Sequence, residues 1–254
     1  MRQYLLPASY GGQPTLTVSG NDWRHLTRVL RLRVGDTLTA RDIHGARYQM
    51  RIGSLGKTSC VVELAPEVTP ADAPHVSVPS APRLTLLQCL PKGRKIDLIV
   101  RQATEAGVSR IVPVLSERSL VRAGEERSAR LRRIAEEAME QSGRDRLPEI
   151  EEPRTLESVA RERWGTGILF YESASGAWPL HRLLAHGPEE VGILIGPEGG
   201  FAEAEVRLVT EAGFRVAHLG ETVLRVETAA LYAIAAVMTI VQERNDWKSV
   251  PRPE

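Results

Sequence analysis

Ile193-Leu194-Ile195-Gly196-Pro197-Glu198-Gly199-Gly200-Phe201 is an apolar strand running straight into a glycine-rich turn, and residues 202–212 follow with helical periodicity. Strand, tight turn and helix in that order form the repeating unit of an α/β sheet, where ligands gather at the carboxyl ends of strands. Glycine lets the backbone approach a flat ligand closely, and the free N–H and C=O groups of such a turn can read the edge of an adenine. Glu198 places a carboxylate inside the turn and no Gly-Lys-Ser/Thr follows, which argues against a phosphate, and the expected ligand is neutral or cationic there. The same residues also fit a plain strand-to-helix turn with no ligand.

One strand later the pattern recurs. Leu219-Gly220-Glu221-Thr222-Val223-Leu224-Arg225-Val226-Glu227-Thr228 leads into a helix that begins at residue 229. Thr228 has the side chain of an N-cap, and Glu227 lies at the end of the helix dipole that favours an anion. Those two residues also fit a simple cap. Arg225 fits it poorly, because a cation just before a helix N-terminus is disfavoured unless an anion accompanies it.

Short apolar strands and helical stretches alternate upstream of these loops. Leu84-Thr85-Leu86-Leu87 precedes a helix with Ile96, Ile99, Val100 and Ala103 on one face. Ile111-Val112-Pro113-Val114 precedes a charged helix whose apolar stripe is Leu131, Ile134, Ala135 and Ala138, and further strands are expected at 167–170, 191–195 and 216–219. Residues 84–247 therefore read as an α/β domain with a mostly parallel sheet. Pro66, Pro70, Pro74, Pro79 and Pro82 block helix and central strand alike, which sets a linker at 73–83. Before it, turns at Val34-Gly35-Asp36 and His44-Gly45 separate short alternating runs, so residues 1–72 read as a small β-barrel.

Bulk properties narrow the class. The chain has 254 residues, 42% of them hydrophobic, and a net charge of +1, so any attraction to nucleic acid must come from local basic faces. Cys60 and Cys89 sit in separate apolar runs and argue against a disulfide framework. The apolar run 229–241 is shorter than the roughly 20 residues that cross a bilayer, and reads as a buried helix with no membrane role. Met1-Arg2-Gln3-Tyr4 starts no export signal, which points to the cytoplasm. His181 and His186 lack ligand spacing and have no cysteine or carboxylate cluster to complete a site, so no metal is expected.

Taken together, Gly196-Pro197-Glu198-Gly199-Gly200, Leu219-Gly220 and Leu224-Arg225-Val226-Glu227-Thr228 resemble the RsmE family of 16S rRNA uridine-N3 methyltransferases. Lys92-Gly93-Arg94-Lys95, Gln102-Ala103-Thr104-Glu105-Ala106-Gly107-Val108, Ser116-Glu117-Arg118, Glu140-Gln141-Ser142-Gly143-Arg144 and Pro148-Glu149-Ile150 match in the same order, as do Arg2 and residues 25–31 near the N-terminus. The resemblance implies a PUA-like RNA-binding β-barrel followed by a SPOUT α/β domain with a deep C-terminal trefoil knot, an arrangement that periodicity alone does not reveal. It further implies S-adenosylmethionine in the knot loops, a homodimer paired through knot helices, and 16S rRNA or the assembled 30S subunit as partner. Gly196, Glu198, Gly199, Gly200, Leu219, Gly220, Leu224, Arg225 and Thr228 are the implied cofactor residues. A Rossmann-type methyltransferase would place its glycine loop after the first strand, whereas here it comes late.

Methylating N3 of uridine requires stabilising the uridinate, a role that suits Arg225, with Glu227 as the proton acceptor. RNA contacts are expected at Arg2, Arg24, His25, Arg28, Arg31, Arg94 and Arg144. Arg24, Arg28 and Arg31 share one face of a helix, with Leu26, Val29 and Leu30 turned toward a core, although on this run alone a solvated arginine stripe is the better fit, and Arg94 and Arg144 add weight to an anion-binding surface. Two other readings stay open: a non-catalytic RNA-binding or ribosome-assembly protein on the same fold, and a nucleotide-binding regulator, which Glu198 argues against.

Overall fold

The computed structural model describes residues 3–67, 82–119, 125–172 and 176–247, side chains excepted at 125–127 and 244–247. Arg2 and most of the expected linker lie outside them. The chain divides into two compact units, residues 1–74 with 139–147, and residues 75–138 with 148–254.

In the first unit β1 (Gln3–Leu5), β2 (Thr15–Ser19), β3 (Thr37–Arg41), β4 (Arg47–Leu55) and β5 (Ser59–Pro66) form a sheet in the order β1-β3-β4-β5-β2, antiparallel except for β1 on β3. Period-two alternation drives Met50, Ile52, Val62 and Leu64 into a core with Tyr4, Val18, Leu26 and Ala40. Residues 139–147 carry the sequence of the second domain yet group with the first. Gln3 Nε2 donates to the carbonyls of Met139 (3.2 Å) and Arg144 (2.8 Å), Leu5 N–H donates to Glu140 Oε1, and Arg41 pairs with Asp145 at 2.5 Å.

The expected arginine helix is interrupted. Helix α1 (Gly20–Arg24) passes into a π-helical turn, His25–Val29, closed by Leu30 N–H on the His25 carbonyl at 2.9 Å. The wider turn moves the register, so Leu26 is buried but Val29 is 61% exposed rather than core-facing. Arg31 is off the helix face altogether. Its φ of 56° is the left-handed conformation that ends helices, and Leu32 N–H reaches back to the Leu26 carbonyl across it.

In the second unit β6 (Arg83–Cys89), β7 (Arg110–Leu115), β8 (Glu149–Ile150), β9 (Arg154–Thr155), β10 (Thr166–Phe170), β11 (Glu190–Ile195) and β12 (Arg215–Ala217) form a seven-stranded sheet in the order β12-β10-β11-β6-β7-β8, with β9 also on β7. Every pairing between these strands is parallel. The continuous apolar runs of β6, β7 and β11 belong to strands covered on both faces. Helices α2 (Lys95–Glu105), α3 (Glu125–Ser142), α4 (Leu156–Ala160), α5 (Leu180–Leu183), α6 (Glu203–Glu211) and α7 (Val226–Trp247) connect or follow them. The predicted stripes of α2 and α3 are buried as expected.

Two expectations at the C-terminal end change. Strand β12 stops at Ala217, which leaves Leu219 in the following loop. Helix α7 begins at Val226 and spans 22 residues, so Thr228 lies inside its first turn and cannot be its N-cap. That helix is also only half buried: Ala230, Ala233, Ile234, Val237 and Val241 face the core, whereas Leu231 and Tyr232 (53%) are exposed. By length and composition the stretch Val226–Glu243 could cross a membrane, but its inner face packs against α2 and β11 as part of the α/β domain.

Candidate functional site

Parallel strands send all their following loops to one edge of the sheet, and in this sheet β11 stands between β10 and β6. The loop after β11 therefore has neighbours on both sides. Toward β10 and β12 it opens on a cleft of about 790 Å³, solvent at the mouth included. Phe170, Ile195, Phe201, Leu219, Leu224 and Val226 give the cleft apolar walls, while Tyr171, Glu172, Glu198, His218 and Glu221 are its ionisable groups. Gly196 is glycine for space, since a Cβ there would stand 2.9 Å from the Phe201 ring. Gly220 is glycine for conformation, with φ at 124°.

Toward β6 and β7 the same loop is tied down. Glu198 accepts hydrogen bonds from Lys95 Nζ (2.7 Å) and, with both carboxylate oxygens, from the Lys92 N–H (3.2 Å). Burial would raise its pKa, but these hydrogen bonds outweigh burial and hold the carboxyl below its ordinary value. Arg118 Nη1 donates to the Gly199 carbonyl at 2.6 Å, and a Cβ on Gly199 would meet the Arg118 side chain at 3.3 Å. Glu205, buried at the start of α6, accepts from the N–H groups of Ala202 (2.9 Å) and Glu117 (2.8 Å).

Of the cofactor residues expected from sequence, Gly196, Glu198, Gly200, Leu219, Gly220 and Leu224 converge on the cleft. Gly199 turns toward Arg118 instead. Arg225 and Thr228 are exposed and are not among the lining residues; Arg225 immediately precedes α7, and its carbonyl accepts the Ala229 N–H at 2.8 Å. Glu227 is half-buried in the first turn of α7 and is not among the residues that line the cleft; its Oε2 is enclosed and without a hydrogen-bond partner among the described residues. Sequence reading missed Phe170, Tyr171 and Glu172, which the carboxyl end of β10 delivers, and His218, whose Nδ1 accepts the Gly220 N–H at 3.3 Å. The strand-end rule would have found the first three, because Phe170 pairs with Ile195 across β10 and β11.

The expected RNA residues are spread over both units. Arg24, His25, Arg28 and Arg31 are exposed in the first, with Arg28 5.8 Å from the Trp23 ring centroid. Arg144 is only half-exposed; burial, opposed by Asp145, brings its pKa down to about 10, still cationic at neutral pH. Arg94 is exposed at the start of α2 in the second unit. Cys60 and Cys89 are buried free thiols, and no group of three or more metal-ligating side chains occurs among the described residues.

Residues 79–238 match the RNA methyltransferase domain family and residues 18–65 the RNA methyltransferase PUA domain family. Ribosomal RNA small subunit methyltransferase E of Bacillus subtilis is 29% identical over 88% of this chain and 90% of its own length, and that of Mycobacterium bovis is 30% identical over 87% and 84%. The crystal structure of ribosomal RNA small subunit methyltransferase E from Neisseria gonorrhoeae, bound to S-adenosyl methionine, is 32% identical, with a TM-score of 0.80 over 94% of this chain and 98% of that one. A late glycine loop in a parallel sheet, a cleft beside it and a PUA domain ahead of it are thus features of a known lineage: the chain belongs to the RsmE family of ribosomal RNA small subunit methyltransferases.

Proposed function

We propose that this protein is an S-adenosylmethionine-dependent methyltransferase that modifies N3 of a specific uridine in 16S rRNA of the small ribosomal subunit. The observation that carries the reading is the convergence of the 196–201 and 218–224 loops on one cleft at the strand ends. Its residues fit the methyl donor. Backbone groups of two glycine-bearing turns suit an adenine edge, apolar walls suit the ring faces, and Glu172 and Glu221 suit a ligand that carries a sulfonium and an ammonium. That donor supplies an electrophilic methyl group.

The chain must bring a uracil ring to the methyl and favour its anion. N3 gives up its proton, its lone pair forms the new N–C bond, and the old C–S bond breaks with its electrons remaining on sulfur. Arg225 is assigned to stabilise the uridinate and Glu227 to accept the proton, supported by the unpartnered Oε2 at the start of α7. Because N3 lies on the pairing edge, the target base must be unpaired or swung out. Arg2, Arg24, His25, Arg28 and Arg31 would hold the RNA from the first unit, with Arg94 and Arg144 contributing contacts of their own.

Three finer features belong to the same reading. The segment after β12 is assigned to a trefoil knot, supported by its path from the sheet edge beyond β10 back to α2 and β11. A homodimer is assigned to the exposed apolar face of α7, where Leu231 and Tyr232 otherwise meet water. A protein acting on ribosomal RNA belongs in the cytoplasm. The test of the central role is Arg225→Ala, which should lower turnover about a hundredfold while cofactor affinity holds; full turnover would remove Arg225 from the mechanism. A non-catalytic RNA-binding role would show as no melting shift on adding S-adenosylmethionine.

A further inference from the structure

The basic run Lys92-Gly93-Arg94-Lys95 suggests a phosphate contact, but its geometry assigns Lys95 elsewhere. We infer that Lys95 and Arg118 are positioning residues that clamp the glycine loop from the side facing away from the cleft, setting cofactor affinity without touching cofactor or RNA. This inference rests on the proposed cofactor site.

Three observations converge on one loop. Lys95 Nζ lies 2.7 Å from Glu198 Oε1, with the Lys92 N–H on the same carboxylate. Arg118 Nη1 lies 2.6 Å from the Gly199 carbonyl, its stem against the Gly199 Cα. The Glu117 N–H, one residue before that arginine, is held at 2.8 Å by Glu205 at the other end of the loop. Lys92 and Lys95 follow β6, Glu117 and Arg118 follow β7, and the loop they grip follows β11, so the clamp is built from strand ends on the opposite side of β11 from β10 and β12.

The arrangement has a chemical reason. A glycine turn is the costliest kind of segment to order, because glycine loses the most conformational freedom when fixed. Any ordering left until the ligand arrives weakens binding, so bonds that fix the loop beforehand strengthen it. Lys95 also pairs with Glu198, a residue that lines the cleft, and so fixes that side chain in place.

The test is S-adenosylmethionine titration by calorimetry on the full chain, paired with rRNA binding over a salt series. Lys95→Met and Glu198→Gln should each weaken the cofactor about tenfold, as expected for loss of a charged hydrogen bond. The double variant should be no weaker than either single one, because both remove the same contact. Lys95→Arg should restore most of the affinity, and rRNA affinity with its salt slope should stay at the wild-type value in all four. Cofactor affinity unchanged in Lys95→Met, with a weaker and less salt-dependent rRNA interaction, would assign Lys95 to phosphate and overturn the clamp. Loss additive in the double variant would overturn it too. Should a variant misfold, Arg118→Met reads the other arm of the clamp: it keeps the apolar stem and loses the donor to the Gly199 carbonyl, and unchanged cofactor affinity there also counts against the clamp. Failure of the wild-type protein to bind S-adenosylmethionine at all would instead refute the site reading on which the clamp depends.

Discussion

Gly196 and Arg31 illustrate two ways in which one backbone position constrains a residue. A methyl group at Gly196 would press on the Phe201 ring from 2.9 Å, and Phe201 is a core residue that also walls the cleft. Gly196→Ala should therefore lower stability by about 1–3 kcal/mol, as overpacking does, and abolish S-adenosylmethionine binding; denaturant melts with and without cofactor measure both. Arg31 holds a left-handed φ of 56° at the end of the π-helical turn, a strained state for a residue with a Cβ. Arg31→Gly relieves that strain but frees the unfolded chain, so stability should stay within about 1 kcal/mol of wild type, while filter binding should show weaker rRNA affinity and a shallower salt slope. The glycine motif was legible in the sequence because it is local. The Arg31 conformation was not, since helical spacing over 24–31 presumes a 3.6-residue turn that the chain abandons at His25.

Among the elements, the loops after β6, β7 and β11 meet only because the sheet order interleaves strands distant in sequence, a pairing that no local periodicity encodes. For that reason strand positions could be read from apolar runs, yet Lys95, Arg118 and Glu172 could not be given their places. At the opposite, amino-terminal edge of the sheet, Arg110 and Arg154 flank the Trp164 ring and share Glu151 and Glu162, with Arg154 Nη1 at 2.6 Å from Glu162. Burial raises the Glu162 pKa, but hydrogen bonds from Arg154 and then Arg110 overcome it and leave the value lowered. A carboxyl depressed in the fold stabilises it above the ordinary carboxylate pKa, and that contribution is lost as pH falls through the depressed value. The melting temperature of the wild type should thus drop more steeply below about pH 4.5 than that of Glu162→Gln, as calorimetry across that range would register. Equal slopes would remove Glu162 from the acid response.

At the scale of the whole molecule, the apolar composition of α7 exceeds what its buried face requires, and the excess lies on Leu231 and Tyr232. Replacing Tyr232 with Glu should convert the proposed dimer to monomer in sedimentation velocity while leaving the monomer folded. A wild type that sediments as a monomer would contradict that assembly. From sequence the run 229–241 read as a buried helix because it is too short to span a bilayer, and apolar composition does not separate the face turned to the core from the outer one that carries Leu231 and Tyr232. RNA holding is proposed mainly for the first unit and methyl transfer for the second, and one measurement spans both. Small subunits from cells lacking this gene would be incubated with purified protein and methyl-labelled S-adenosylmethionine, and the 16S rRNA digested for mass spectrometry. One uridine carrying one labelled methyl at N3 is the expected product. Absence of label from the rRNA, or label on a different atom or base, would contradict it.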